Sequence, residues 1–262
     1  MTDSIFFDVA FSYSDVEDHI NAMKTRCKIK HKEVNCAVVD VLRATTTIIS
    51  SLHNGCSEIY PVASRNAAIV KTRELKKKHI NKKILLAGEK NGKAIKGFDL
   101  GNSPSNFKRE IVRNKIIIMS TSNGTKAINA VKKQENVFLF SLANLSAVAK
   151  SIISPIIKNH NLLVVCSGSE RKYCEEDSIT SGLLIQKLIS LLDLEQFVCS
   201  DSTKACLHIA NSYKKNILQA FKNCSWGEHL IQLGLKGDLE FCSKMDWSNV
   251  VPKLKNGIVI SS

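Results

Sequence analysis

The sequence predicts an α/β fold: a three-layer α/β/α sandwich with a mostly parallel central sheet. From residue 34 onwards, short apolar runs alternate with longer helical patterns, which is typical of βαβ units. These runs lack polar alternation, as expected for strands that are buried on both faces. The chain is also long enough, at 262 residues with 44% hydrophobic residues, to bury a large core.

The first predicted strand covers residues 34–42, and the helix that follows over 45–53 ends at Asn54-Gly55. The next strand is predicted at 57–62 and the next helix at 64–79, where Lys and Arg cover the face opposite the apolar residues. Further apolar runs predict strands at 83–87, 115–119, 137–140, 162–166 and 257–260. Helical spacing predicts helices over 125–133, 142–158 and 175–192.

No boundary between domains is visible along the chain. It contains only 12 Gly and 4 Pro, and it has no internal repeat and no Ser-rich linker. We therefore expect a single domain over 1–262, with a more helical C-terminal part from about residue 200. A separate C-terminal helical subdomain is the alternative.

The charge balance is strongly basic, with 37 Lys and Arg against 24 Asp and Glu and a formal net charge of +13. Such a charge attracts anions at long range, and nucleic acid is the first partner to consider. However, the basic residues are dispersed over predicted outer helix faces, and aromatic residues make up only 6% of the chain. This pattern favours solvated helix faces over a nucleic-acid-binding surface.

Cysteine spacing and the N-terminus bear on the cellular compartment. The nine cysteines are scattered without C-x-x-C spacing, so most are expected to be reduced and buried. The N-terminal stretch carries acids where a secretory signal carries bases, and no apolar run approaches the roughly 20 residues that span a bilayer. These features predict a cytoplasmic protein without membrane contact.

Polar side chains follow several predicted strands, at the edge where an open parallel sheet binds its ligands. Carboxylates at such an edge suit a hard cation, and backbone N–H groups at helix starts suit a phosphate, so the set indicates metal-assisted phosphate chemistry. The candidate residues are Asp40, Arg43, Thr45, Thr46, Glu89, Asp99, Asn102, Ser103, Asn123, Gly124, Thr125, Glu176 and Asp177.

Asp40 and Arg43 have two interpretations. Asp40 interrupts an apolar strand end, where a charge must be paired or bound to a metal, and Arg43 is its nearest partner. The two residues form either a structural ion pair or a cation site beside an oxyanion site. The three consecutive threonines at 45–47 disfavour a helix through β-branching, and a ligand role for at least one of them would explain the run.

Structural roles compete with binding roles elsewhere as well. Asn123-Gly124-Thr125 also fits a plain turn with a helix cap, and Ser103-Pro104 fits an N-cap followed by a first-turn proline. Glu176 and Asp177 lie in a predicted first helical turn, where acids complement the helix dipole.

Several standard catalytic motifs are absent from the sequence. There is no phosphate loop of the Walker type, no G-x-G-x-x-G, no H-E-x-x-H and no G-x-S-x-G elbow. None of the seven histidines pairs with another at ligand spacing. Any metal is therefore expected to be oxygen-bound Mg²⁺ rather than Zn²⁺.

Six strings and the dipeptide Val251-Pro252 together resemble one known family. The strings are VVDVLRATTTI (38–48), GEK (88–90), GFDLGNSP (97–104), SNGTKAI (122–128), EED (175–177) and GDLEFC (237–242). In these residues the chain resembles the 2-phosphosulfolactate phosphatase (ComB) family. The resemblance implies a Mg²⁺-dependent phosphatase that hydrolyses (2R)-phospho-3-sulfolactate to sulfolactate and phosphate, a step of coenzyme M biosynthesis.

The resemblance also implies site residues at the matching positions. Carboxylates would hold Mg²⁺ and orient water, while Arg43 and the remaining donors would neutralise the charges of the substrate. The implied catalytic residues are Asp40, Arg43, Glu89 and Asp177; the metal ligands Asp40, Glu89, Glu176 and Asp177; and the substrate-binding residues Arg43, Thr45, Thr46, Asp99, Asn102, Ser103, Asn123, Gly124 and Thr125. The implied partner is a small anionic phosphoester, with no nucleic acid or membrane, and a homodimer is expected from base rates alone.

The chain departs from the family pattern in the stretch 169–174, which is bulkier than the glycine-rich stretch of the family, and at two single positions. Lys90 stands where the family usually has an arginine, which replaces a bidentate fork by a point charge. Trp226 stands where the family commonly has a histidine, and the nearby His229 is expected to point elsewhere. These changes suggest another phosphorylated 2-hydroxy acid as an alternative substrate. A basic anion- or nucleic-acid-binding protein that kept the fold without turnover is the alternative from a different class.

Overall fold

The computed structural model describes residues 4–26, 34–78, 82–192, 197–213 and 215–262. The strands in these residues are β1 Ile5–Ala10, β2 Cys36–Val39, β3 Glu58–Pro61, β4 Ile84–Lys90, β5 Lys93–Ala94, β6 Ile116–Ser120, β7 Val137–Phe140, β8 Asn161–Cys166, β9 Phe197–Cys199, β10 Pro252–Lys255 and β11 Ile258–Ser261. The α-helices are α1 Val16–Arg26, α2 Ala44–His53, α3 Arg65–Lys78, α4 Arg109–Val112, α5 Gly124–Ala130, α6 Leu145–Asn159, α7 Glu175–Leu192, α8 Asp201–Tyr213, α9 Ile217–Asn223, α10 Ser225–Gln232 and α11 Lys236–Cys242.

These strands form one sheet in the order β5-β4-β6-β3-β11-β10-β7-β2-β8-β1-β9. Strands β4, β6 and β3 make one parallel block, and β7, β2, β8, β1 and β9 make another. The hairpin β10–β11 lies between the blocks and is antiparallel to the strand on either side of it. The predicted α/β class with a mostly parallel sheet is confirmed, and the hairpin interrupts the parallel order at its centre.

Helices cover both faces of the sheet. On one face, α6, α7 and α8 pack against β1, β2, β7 and β8, and Phe221 and Leu239 from the C-terminal helices join the same cluster. On the other face, α1, α2 and α5 pack against strands of both parallel blocks. Helix α3 covers the outer face of β3 and β6 in a smaller cluster. Because both blocks share a core with α2 and α5, the loops after β2, β4 and β6 meet.

Helix α2 is buried along almost its whole length, although half of its residues carry hydroxyl groups. The hydroxyls of Thr45 and Thr46 donate to the carbonyls of Asp40 and Val41, both at 2.9 Å. Since a buried hydroxyl without a partner is costly, these bonds allow the burial. They also fix the start of α2 against the end of β2.

Predicted and observed elements agree closely over most of the chain. The bounds of β7 and α7 match the predictions, and most others differ by a few residues. The strand predicted at 34–42 ends at Val39, because Asp40 begins the turn into α2. Strands β1, β5, β9 and β10 and helices α1 and α4 were not predicted; β1 is uniformly buried yet contains the acidic Asp8. His79, the predicted end of the second helix, lies outside the described residues.

The cysteines and the lengths of the helices bear on two further expectations. Their eight cysteines are all free, and seven are buried, as expected; Cys27 lies outside this part of the chain. None of the helices described is both long and apolar enough to cross a membrane.

Candidate active site

The carboxylate of Asp40 lies between the end of β2 and the start of α2. Its Oδ1 accepts the backbone N–H of Ala44 at 3.0 Å, and its own N–H donates to Thr45 Oγ1 at 3.1 Å. On the other side lies Gly124, where a β-carbon would stand 2.4 Å from Asp40 Oδ2. Asp40 is only 8% exposed, so the surrounding backbone rather than water fixes its position.

Glu89, near the end of β4, is held by three donors. Its Oε1 accepts the backbone N–H of Ser122 at 2.7 Å. Its Oε2 accepts the backbone N–H of Gly92 at 2.8 Å and the hydroxyl of Ser122 at 3.1 Å. These bonds join the loop after β6 to the β4–β5 turn and place the Glu89 carboxylate at their junction.

Glu176 and Asp177 lie in the first turn of α7 and are both buried. Asp177 Oδ1 accepts the N–H of Val41 at 2.9 Å, and Oδ2 accepts the N–H and hydroxyl of Ser167 at 3.1 and 2.8 Å. Asp177 therefore ties α7 to the ends of β2 and β8. The side chains of both acids point into the protein interior, so a favourable interaction with the helix dipole does not explain their burial.

Buried carboxylates in this site perturb one another's ionisation. Burial is the largest cause that raises the pKa of Asp40 to about 6, and the charges of Glu89 and Glu176 raise it too, against the N–H of Ala44. Burial, with the charges of Asp40 and Glu176, raises the pKa of Asp177 well above its usual range. Burial also raises the pKa of Glu176. Negative charge is in excess here, and a bound cation would lower all three pKa values.

The side chain of Arg43 is almost completely buried and does not pair with Asp40. Its Nη1 lies 2.6 Å from Asp238 Oδ2 and 3.3 Å from Ser103 Oγ, and its Nη2 donates to the carbonyl of Gly92 at 2.8 Å. Of the two interpretations of Asp40 and Arg43, the structural ion pair is therefore wrong. Asp40 faces the N-terminus of α2, whereas the Arg43 side chain extends towards α11.

A small cavity of about 20 Å³ lies among these groups, and we call it the acidic crevice. A water molecule needs roughly 10–15 Å³ of such space, so the crevice suits a water or a metal ion, and a larger ligand must lie at its mouth. Asn102 Oδ1 is buried without a partner in the described residues. The polar lining consists of Asp40, Arg43, Glu89, Asn102, Asn123, Ser167, Ser169, Glu176, Asp177 and Trp226.

A second cavity of about 910 Å³ adjoins the crevice and shares Glu89, Asn123, Ser169 and Trp226 with it. Within the described residues, none of its basic side chains forms an ion pair. Cations without a carboxylate partner favour an anionic ligand. We call this cavity the basic cleft, after its lining residues Arg65, Lys90, Lys93, Lys96 and Lys126.

Both single-residue departures from the family pattern line these cavities. Lys90 lines the basic cleft, and Trp226 lines both the cleft and the crevice. His229 also lines the cleft, so the expectation that it points elsewhere is wrong. On α10 the two rings are three residues apart and share one face, with centroids 4.9 Å apart.

Six predicted site residues do not line the acidic crevice: Thr45, Thr46, Asp99, Ser103, Gly124 and Thr125. The three threonines are fully buried, and their hydroxyls donate to backbone carbonyls. Asp99 is exposed and accepts the N–H of Leu86 at 2.8 Å, so it extends the pairing along the edge of β4. Ser103 contacts Asp238 behind the Arg43 guanidinium.

Asp238 and Ser122 are among the residues of the observed site that were not assigned a role from the sequence. Asp238 is nearly 200 residues from Arg43 along the chain, and its only signal is its place in the GDLEFC string. Ser122 directly precedes Asn123, and both its N–H and its hydroxyl bind Glu89. Ion pairs between distant residues leave no local pattern in the sequence. Ser122 lies within the string SNGTKAI, but the sequence does not show that it binds Glu89.

The donor set fits a hard cation in its chemistry. In the part of the chain that the structure describes, no three Asp, Glu, His or Cys side chains already converge as a metal site. The buried carboxylates and the unpartnered Asn102 Oδ1 nevertheless offer oxygen donors of the kind that Mg²⁺ accepts.

Comparison with known proteins places the chain in a family. A family model described as 2-phosphosulpholactate phosphatase matches residues 21–257. A protein of Caldanaerobacter subterraneus subsp. tengcongensis, named probable 2-phosphosulfolactate phosphatase, is 41% identical over 231 residues, covering 88% of this chain and 92% of its own. Proteins of the same name from Clostridium tetani and Thermotoga petrophila are 32% and 34% identical, covering 96% and 85% of this chain and 98% and 90% of their own. The chain therefore belongs to the 2-phosphosulfolactate phosphatase family of phosphoric monoester hydrolases.

Proposed function

We propose that this protein hydrolyses 2-phosphosulfolactate to sulfolactate and inorganic phosphate. The observation that carries the proposal is the acidic crevice, in which four buried carboxylates and Arg43 open into the basic cleft. The family supports an ester of this class. The unpaired cations of the cleft suit a substrate that carries a carboxylate and a sulfonate beside its phosphate. The product sulfolactate would then serve coenzyme M biosynthesis in the same compartment as the enzyme, which we expect to be the cytoplasm.

We propose Mg²⁺ as the cofactor. Bound Mg²⁺ supplies Lewis-acid polarisation of a phosphoryl oxygen. The residues that would hold it, directly or through water, are Asp40, Glu89, Glu176 and Asp177. The raised pKa values of Asp40 and Asp177 support this assignment, because a site built to bind a cation carries excess negative charge without one.

The hydrolysis breaks the bond between phosphorus and the ester oxygen and forms a bond between phosphorus and the oxygen of water. One proton of the water ends on the alkoxide of the leaving hydroxy acid. In our assignment Asp40 orients the attacking water, since its fixed carboxylate lines the crevice. Arg43 donates to the phosphoryl oxygens at the mouth of the crevice and offsets their charge.

A phosphatase for another phosphorylated 2-hydroxy acid is the second candidate. Its support is the pair Lys90 and Trp226, which both line the cavities and both differ from the family pattern. A lysine cannot form the two parallel hydrogen bonds that an arginine makes to a sulfonate or carboxylate. A substrate with fewer anionic groups, such as phospholactate, would lose less from that exchange.

Phosphate release from a panel of esters tests both candidates. The panel contains 2-phosphosulfolactate, phospholactate, phosphoglycolate and 3-phosphoglycerate, each assayed with Mg²⁺ and with EDTA. We expect metal-dependent release with the highest kcat/KM for the sulfonated ester. A higher kcat/KM for phospholactate would favour the second candidate. Absence of release from all four would overturn the proposal.

A further inference from the structure

We propose that Asp238 is a positioning residue, which holds the guanidinium of Arg43 in the orientation that binds the transferred phosphoryl group. The inference rests on the proposed function, because it assigns Arg43 to that group. It extends the site to α11, in the C-terminal part of the chain.

Asp238 and Arg43 form a close and deeply buried ion pair. The distance from Arg43 Nη1 to Asp238 Oδ2 is 2.6 Å, and the two side chains are 2% and 6% exposed. Charges buried this deeply are stable only when geometry and further hydrogen bonds satisfy both partners. The Arg43–Asp238 pair therefore holds both side chains in one arrangement, unlike an ion pair at the surface.

The Asp238 carboxylate is itself held in place. Ser103 Oγ donates to the same Oδ2 atom at 2.8 Å, and the carbonyl of Gly92 accepts from Arg43 Nη2 at 2.8 Å. The guanidinium is thus fixed on two sides by loops after β4 and by α11. A planar fork locked in this way loses little side-chain entropy when it binds an oxyanion.

Arg43 retains a donor for a ligand after these contacts. Its Nε is buried and has no partner among the described residues, although the side chain lines the acidic crevice. A buried N–H without a partner is costly, and an anion at the mouth of the crevice can satisfy it. Asp238 does not line the crevice, so its effect on such an anion passes through Arg43.

A plain structural ion pair is the competing explanation. It predicts that loss of Asp238 lowers the free energy of unfolding, most strongly while Arg43 is present, but leaves phosphate binding by the folded protein unchanged. A positioning role predicts that the effect of Asp238 on phosphate binding disappears once Arg43 is gone, because residues that act as one unit are not additive.

A double-mutant cycle separates the two explanations. Titration calorimetry gives the Kd of inorganic phosphate, in the presence of Mg²⁺, for wild type, Arg43→Met, Asp238→Asn and the double variant. The same four proteins are assayed for kcat and KM on 2-phosphosulfolactate. Glu240→Gln is the matched control, because Glu240 is an exposed acid on the same helix.

We expect Asp238→Asn to weaken phosphate binding at least 10-fold and to lower kcat/KM about 100-fold, the cost of a misplaced catalytic group. In the Arg43→Met background the same substitution should change either quantity less than about 2-fold. Equal effects in both backgrounds, or no effect in wild type, would overturn the proposal.

If Asp238→Asn does not fold, Ser103→Ala takes its place in the cycle. This substitution removes the hydrogen bond from Ser103 Oγ to the Asp238 carboxylate but keeps the charges of Asp238 and Arg43. A smaller loss, again confined to proteins that contain Arg43, is then expected, and a loss in both backgrounds would refute a positioning role. Phosphate binding is measured without turnover. Coupling without hydrolysis of the ester would therefore reject the proposed function alone, whereas hydrolysis without coupling would reject the role of Asp238 alone.

Discussion

The acidic crevice and the basic cleft adjoin each other but are built in opposite ways. The carboxylates of the crevice are buried and, at Asp40, Glu89 and Asp177, held by backbone N–H groups at strand and helix ends. The cleft is lined by basic side chains such as Lys90 and Lys93, which are exposed and unpaired in the described residues.

The contrast shows which groups of the site can hold charge in a fixed position. A buried group fixed by several bonds can place charge accurately enough for chemistry. An exposed lysine is mobile and screened by salt, so it attracts and retains an anion without placing it closely. Substitutions in the crevice should therefore affect kcat, and substitutions in the cleft should affect KM and its dependence on salt.

The largest expected effect is that of Asp40→Asn. Removal of this carboxylate should lower kcat about 10²–10⁴-fold, as measured by phosphate release with Mg²⁺. Asp201→Asn, at an exposed acid, is the control and should leave kcat unchanged. Normal turnover by Asp40→Asn would show that the crevice is not the catalytic centre.

The same variant should be more stable than wild type above pH 6 when the metal is chelated. The pKa of Asp40 in the folded protein is raised to about 6, so its ionisation favours the unfolded chain. Stability from this group is present below its unfolded pKa and is lost as pH rises through about 6. Thermal melts with EDTA should therefore diverge at pH 8 and converge near pH 4.

Gly124→Ala tests how closely the backbone must approach Asp40. The added β-carbon would lie 2.4 Å from Asp40 Oδ2 and 2.5 Å from Ala44 Cβ, so the carboxylate or α2 must shift. We expect a loss of about 1–3 kcal/mol in the free energy of unfolding, measured by urea denaturation, together with a lower kcat. Gly237→Ala is the matched control, because no atom lies within 4 Å of its β-carbon position. Equal stability of both variants would contradict the packing described.

The magnesium affinity of the crevice should depend on pH. Protons compete with the metal for Asp40, whose pKa is raised to about 6 by burial. The Kd for Mg²⁺ should therefore rise by up to about tenfold for each pH unit below 6 and change little above pH 7, as measured by calorimetry. A flat profile from pH 5 to 8 would exclude Asp40 from the metal site.

The smallest effects are expected in the cleft. Lys90→Ala and Lys93→Ala should each raise KM for 2-phosphosulfolactate about 2–5-fold at low salt, with kcat unchanged. The rise should shrink at high ionic strength, because salt screens exposed charges. Lys158→Ala, an exposed lysine on α6, is the control. A change in kcat rather than KM would place these lysines in the chemical step.

The sequence predicted most of the fold because buried parallel strands such as β6 and β8 are uninterrupted apolar runs. It missed β1, where Asp8 breaks the apolar run although its carboxylate is buried against His19. In the site, the strand-end acids were predictable from their position. The pairing of Arg43 with Asp238 was not, because contacts between residues nearly 200 positions apart depend on tertiary packing that no local pattern records.

Binding of 2-phosphosulfolactate to Asp40→Asn, measured by calorimetry beside an assay of phosphate release, tests the division of labour between crevice and cleft most directly. We expect the variant to bind the ester with a Kd within about threefold of the wild-type KM and to release phosphate about 10²–10⁴-fold more slowly. Adding Lys90→Ala should weaken this binding. Phosphate release at the wild-type rate, or loss of binding in the folded variant, would contradict this division of labour.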